Sequence, residues 1–192
     1  MKLQNLVARV SLGLGAVAAT NRTLRQDPDT LESPLGHELS TYRWRGFDVA
    51  YTEAGDATNP DLVLVHGVNA AGSSHEFRYV IDELVKEYHV IAPDLPGFGH
   101  SDRRPLLYSD SLYETFVEDF LRDLSENPTV VASSLTGAYV ARALEAPNPP
   151  TIRELMLICP TTSAMPTQRT SLRSLLRAPL VGEGMFNLLA SR

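Results

Sequence analysis

The sequence predicts an α/β fold: a mostly parallel sheet with helices on both faces. Three observations predict it. Short, continuously apolar runs recur at residues 62–65, 90–92 and 129–132 and within 152–158; runs of this kind suit strands covered on both faces. Segments with apolar residues at helical spacing separate them, and strands alternating with helices imply parallel pairing through crossovers. Glycine-containing loops follow the first two runs and a small-residue turn follows the third.

The elements follow in order. Lys2 precedes a broken apolar stretch, and residues 10–19 read VSLGLGAVAA. Ala16, Val17 and Ala18 look like a small-residue cleavage site, but Arg9 interrupts the apolar run. Leu3, Leu6, Val7 and Val10 also fall at helical spacing. The expectation is a cytoplasmic protein, with membrane association or export through residues 3–19 as the alternative. Residues 21–39 are polar, contain Pro28 and Pro34, and read as a linker. Residues 41–45 and 47–52 predict two strands joined at Gly46. After the strand at 62–65 comes the loop 67–74, then a predicted helical stripe of Phe77, Val80, Ile81, Leu84 and Val85. The strand at 90–92 leads into a loop at 94–101. Ser111 and Glu114 have the spacing of a capping box. Leu112, Phe116, Phe120 and Leu124 form the stripe behind it. A strand at 129–132, a helix at 135–144 and a strand within 152–158 complete the alternation. Residues 161–192 read as one or two short helices anchored by Met, Leu and Phe. The expected domains are therefore 1–39, an apolar helix and linker; 40–160, the core; and 161–192, the start of a cap.

Composition excludes several classes. A hydrophobic content of 43% and a charged content of 21% are those of a globular chain. A formal charge of -6 leaves no basic surface for nucleic acid. The single cysteine, Cys159, excludes an internal disulfide and zinc sites built on cysteine pairs. It is expected as a small buried residue at a strand end.

The chemistry concentrates at residues 131–139, VASSLTGAY. A serine on a sharp strand-to-helix turn needs small residues two before and two after it. Centred on Ser134, those positions hold Ala132 and Thr136; centred on Ser133, the first holds the bulkier Val131. Ser134 is therefore the candidate nucleophile. A serine capping the helix that follows is the bland reading.

Context decides between them. His66-Gly67 follows the first buried strand, Asp94-Leu95-Pro96-Gly97-Phe98-Gly99-His100-Ser101 the second, and the serine turn the third. This ordered trio resembles the α/β-hydrolase family over roughly residues 40–165, the elbow departing by Ala132 and Thr136 in place of two glycines. The resemblance implies that Ser134 attacks a carbonyl carbon of an ester-like, small-molecule substrate. It further implies that the backbone N–H groups of Val68 and Leu135 form the oxyanion hole. Serine disfavours the aspartate chemistry of the family's dehalogenases and epoxide hydrolases. No cofactor and no metal is implied.

The family's triad runs Ser, then Asp or Glu, then His. After Ser134 there is no Asp and no His, and the later carboxylates are Glu145, Glu154 and Glu183. The five histidines, His37, His66, His75, His89 and His100, all precede it. The expectation is a chain truncated within the cap region and inactive alone. A βαβ unit takes at least about 30 residues, so two missing units amount to about 60–100. Two other readings stay open: a non-catalytic binding protein retaining the fold, and a cofactor-free haloperoxidase-like enzyme when complete. The oligomeric state is not legible.

Overall fold

The computed structural model describes residues 33–161, which lie in one compact unit spanning residues 31–164. The apolar stretch 3–19 and the expected cap after Thr161 lie outside the described residues. Among the described residues no helix is long and apolar enough to cross a membrane. The expected alternative of membrane association is corrected on that finding.

Six strands form one sheet among the described residues: β1 (Leu39–Trp44), β2 (Phe47–Ala54), β3 (Asp61–Val65), β4 (His89–Pro93), β5 (Thr129–Ser133) and β6 (Glu154–Ile158), in the order β1-β2-β4-β3-β5-β6. β1 pairs with β2 through a two-residue hairpin that sets Trp44 opposite Phe47. Both connecting residues, Arg45 and Gly46, have positive φ, of 44° and 90°. That is the turn whose twist matches paired strands. β2 runs antiparallel to β4, and the pairs β3–β4, β3–β5 and β5–β6 are parallel. The expected α/β architecture is present.

Alternation along β3 explains why its run is apolar throughout. Leu62 and Leu64 enter a cluster with Leu35, Phe77, Ile81, Val90 and Ala92. Val63 and Val65 enter the other, with Trp44, Ile91, Phe116 and Phe120. Successive side chains point to opposite faces, so both faces must be covered. Each such residue contributes about 1.5–3 kcal/mol on burial.

Three helical elements differ in detail from expectation. The first stripe becomes a 3-10 turn, Ser74–Phe77, followed by a short helix α1, Ile81–Leu84. Phe77 and Ile81 are buried, but Val80 is 47% exposed and precedes α1 without a side-chain cap. Helix α2, Asp110–Leu124, is capped by Ser109 rather than Ser111: the Leu112 N–H donates to Ser109 Oγ at 3.3 Å. Glu114 instead receives Arg142 at 2.6 Å, from helix α3, Thr136–Leu144. The buried stripe of α2 is Tyr113, Phe116, Val117, Phe120 and Leu121. Leu112 and Leu124 sit at its margins, only partly buried.

β6 is the sheet edge among the described residues, and its Met156, Leu157 and Ile158 are exposed. Cys159, expected in the core, is exposed too, with φ of 46°. The reason is its place: it follows a strand that, among the described residues, is paired on one side only.

At the opposite end of the strands from the loops of interest, His89 opens β4 beside Asp61, which opens β3. His89 Nδ1 lies 2.8 Å from Asp61 Oδ1 and Nε2 lies 3.1 Å from Glu53 Oε1. Two carboxylates face the two ring nitrogens, so the doubly protonated ring satisfies both. Burial opposes that charge, but the hydrogen bonds to Asp61 and Glu53 outweigh it and raise the His89 pKa. A pKa raised on folding adds stability that is full below the unfolded value, about 6.5, and is lost as pH rises through the folded value. We expect the melting temperature of His89→Gln to fall furthest below the parent near pH 6. The gap should narrow as pH rises above the unfolded value. A gap independent of pH would show that the charge on His89 contributes nothing.

Candidate active site

The parallel strands β3, β4 and β5 carry three loops at their carboxyl ends, where ligands bind in open α/β sheets. They begin at His66, Asp94 and Ser134 respectively. The sequence trio is therefore brought to one sheet edge.

Ser134 is the turn between β5 and α3. Its φ is 56°, a left-handed conformation that a non-glycine residue adopts only when its surroundings enforce it. The enforcing contacts are visible. The Ser134 N–H donates to Ile158 O at 2.8 Å and Ser134 O accepts from the Thr161 N–H at 3.3 Å. These bonds tie the turn to the end of β6. Ser134 is half-buried. Its neighbour Ser133, the weaker of the two candidates, is buried with an unpartnered hydroxyl.

Gly67 packs directly on this turn. A β-carbon there would stand 3.3 Å from Ser134 Cβ and 3.6 Å from Ser133 O. The loop after β3 thus approaches the serine more closely than a larger side chain easily allows.

Thr136, the departure in the elbow, has a structural explanation. It is fully buried, and its hydroxyl donates to His66 O at 2.7 Å. A glycine there could make no such bond. Thr136→Val keeps the shape and leaves the His66 carbonyl without that donor. We expect a stability loss of about 1–3 kcal/mol in urea unfolding. A change below a few tenths would show that water replaces the bond.

His66 joins the loops. Its Nε2 accepts from the Leu95 N–H at 3.0 Å, which leaves the proton on Nδ1, 3.0 Å from Gly67 O. Burial pushes its pKa down, keeping the ring neutral. With both nitrogens engaged, His66 has no lone pair for the serine proton.

Asp94 organises the next loop. It is 1% exposed, and its carboxylate accepts the N–H groups of Ser74 at 2.7 Å and His100 at 2.8 Å. Burial alone would raise its pKa; the N–H donors outweigh burial and hold it below the usual carboxylate range. His100 Nδ1 lies 3.2 Å from the same oxygen, so His100 is part of this loop rather than a solvated surface residue. Ser101 Oγ donates to Asp94 O and accepts from the Ala50 N–H at 2.9 Å, fastening the loop to β2. His75 Nδ1 faces Pro34 O at 2.9 Å. Among the described residues no histidine is hydrogen-bonded to Ser134.

A pocket of about 340 Å³ opens beside the serine turn. Val68 and Leu135, the two residues whose N–H groups were expected to face an oxyanion, both line it. Neither N–H donates to any acceptor among the described residues. The rest of the wall is Gly97, Phe98, Tyr108, Asp110, Tyr113 and Tyr139. Sequence reasoning missed these tyrosines and Asp110. They come from a loop and two helices, and no spacing within one segment marks them as neighbours. Among the described residues no group of three or more His, Cys, Asp or Glu side chains converges to hold a metal.

Comparison with known proteins follows the same geometry. Residues 62–191 match the model of the alpha/beta hydrolase family. Epoxide hydrolase 4 of Homo sapiens is 30% identical over 154 residues, covering 77% of this chain and 42% of that protein. Lipase 3 of Moraxella sp. is 32% identical over 117 residues, 59% of this chain and 36% of that protein. The crystal structure of an alpha/beta hydrolase fold protein from Burkholderia ambifaria superposes with a TM-score of 0.59 at 26% identity, covering 73% of this chain and 52% of that one. The chain thus spans less than half the length of these two curated relatives and about half of the solved structure.

Proposed function

Because this chain belongs to the alpha/beta hydrolase family, we propose that it carries the nucleophile and oxyanion half of a serine hydrolase site. Ser134 Oγ attacks the carbonyl carbon of an ester-like substrate. The carbonyl oxygen gains the negative charge and is received by the Val68 and Leu135 N–H groups. Collapse of the intermediate breaks the bond to the leaving alcohol and leaves an acyl ester on Ser134, which water then cleaves. Two fixed N–H donors typically lower such a barrier by about 3–4 kcal/mol each.

The observation that carries this reading is the left-handed Ser134 turn, set beside a pocket flanked by two unengaged N–H groups. Outlying backbone at a cleft points to function, because strain there must be held by the rest of the fold. The proton of Ser134 needs a base. No Asp or His follows Ser134, and no described histidine is hydrogen-bonded to it: His66 is engaged at both ring nitrogens, and His100 faces Asp94 through Nδ1 with a buried, unpartnered Nε2. On this reading the base and its acid partner come from outside these 192 residues, and the chain alone is a poor catalyst.

The test is a fluorophosphonate probe followed by peptide mass mapping. The expected result is a single adduct on Ser134, forming slowly and absent from Ser134→Ala. An adduct on another residue would overturn the assignment. A folded chain that binds apolar esters yet never forms an adduct would favour a non-catalytic binding role, the reading that the missing base supports.

A further inference from the structure

The tyrosines of the pocket share a property that their positions alone do not reveal: each hydroxyl proton is already committed to the protein. Tyr108 donates to Arg104 O at 3.1 Å, Tyr113 to Pro96 O at 3.3 Å and Tyr139 to Asp110 Oδ1 at 2.8 Å. A phenol has one proton and can also accept. What these groups still offer is therefore acceptor capacity only. Asp110 adds the second oxygen of its carboxylate, at the exposed rim of the pocket. The nearby Arg142 forms its ion pair with Glu114 and feels Asp110 only as a weaker, more distant charge. Phe98 and the stacked rings of Tyr108, Tyr113 and Tyr139 supply the flat apolar wall, with centroids 6.3 Å apart for the first pair and 5.4 Å for the second. Burial pushes the Tyr113 and Tyr139 hydroxyls well up, so they keep their protons at any working pH.

We propose that this pocket selects a substrate whose compact, ring-sized apolar group carries an O–H or N–H donor, received by Asp110 and the Tyr139 oxygen. The inference rests on the serine-hydrolase reading insofar as it calls the ligand a substrate. Apart from the Val68 and Leu135 N–H groups, which on this reading receive the ester carbonyl, the lining offers acceptors: a carboxylate or phosphate on the ring group would meet Asp110 with no side-chain donor of the lining to compensate. Asp110 and Tyr139 are specificity residues, and neither takes part in the acyl transfer itself.

Calorimetric titration of the 192-residue chain tests the idea with three neutral or charged probes. These are the methyl esters of para-hydroxyphenylacetate, of phenylacetate, and of para-carboxyphenylacetate left free at the ring carboxylate. The hydroxyl probe should bind about fivefold tighter than the unsubstituted one, as one hydrogen bond to a charged acceptor at a half-wet rim would give. The carboxylate probe should bind weakest. Asp110→Ala should remove the preference. Tyr139→Phe, which keeps the packed ring, should reduce it. Equal affinity of the first two probes, tightest binding of the third, failure of all three to bind, or a preference that survives both variants would each overturn the proposal. These are binding constants and need no turnover. A preference without a Ser134 adduct would sink the serine chemistry and leave the pocket's selectivity standing, and an adduct without a preference would do the reverse.

Discussion

Gly99→Ala should destabilise the protein by about 2–5 kcal/mol, as a shift of the urea unfolding midpoint at unchanged slope. Two effects add. Gly99 has φ of 48°, where an alanine is strained by roughly 1–2 kcal/mol. A methyl group there would also fall within the Asp94 carboxylate. A flexible surface acid could move aside, but Asp94 is 1% exposed and bound by two backbone N–H groups. Moving it would leave the Ser74 and His100 N–H groups unpaired, or push the charge against His66 and the core. The loop after β4 is therefore built around glycine at this position. A loss below about 1 kcal/mol would mean that the loop reshapes freely and that Asp94 is not its anchor.

Phe116→Ala should cost about 3–5 kcal/mol, the largest effect expected of any core truncation here. Phe116 is fully buried at the middle of α2. Its ring meets Trp44 edge-to-face with centroids 5.2 Å apart and Phe120 at 5.3 Å. The rings link the β1–β2 hairpin to the helix that covers this face of the sheet, so the void cannot collapse from one side only. Against a total stability of about 5–15 kcal/mol, such a loss leaves a chain that unfolds readily. Thermal unfolding checks it. A shift of only a few degrees would show that α2 repacks onto the sheet.

Much of this was readable from residue order. The apolar runs at 62–65 and 129–132 placed β3 and β5 because a strand covered on both faces has no polar alternation to disguise it. The serine turn, the His66-Gly67 pair and the Asp94 loop were recognisable because close backbone approach demands small residues in a set order. Other features were not legible. The α2 cap sits at Ser109 because Asp110 already adopts helical geometry, although Ser111 and Glu114 have the spacing of a capping box. Spacing states which bonds a segment could make and not which competitor, here Arg142, makes a better one.

What residue order determined by itself was the layered architecture, which follows from local periodicity; local steric need only nominated Ser134, and the resemblance of the three ordered loops to the α/β-hydrolase family made it the candidate nucleophile. Only the tertiary structure decided the rest. It revealed that Thr136 is held by the His66 carbonyl and that both nitrogens of His66 are occupied. It also assembled Phe98, Tyr108, Asp110, Tyr113 and Tyr139 into one wall. Each of these depends on which atoms face one another across separate elements. A hydrogen bond has one proton to give, and where it goes is settled only when the chain has folded.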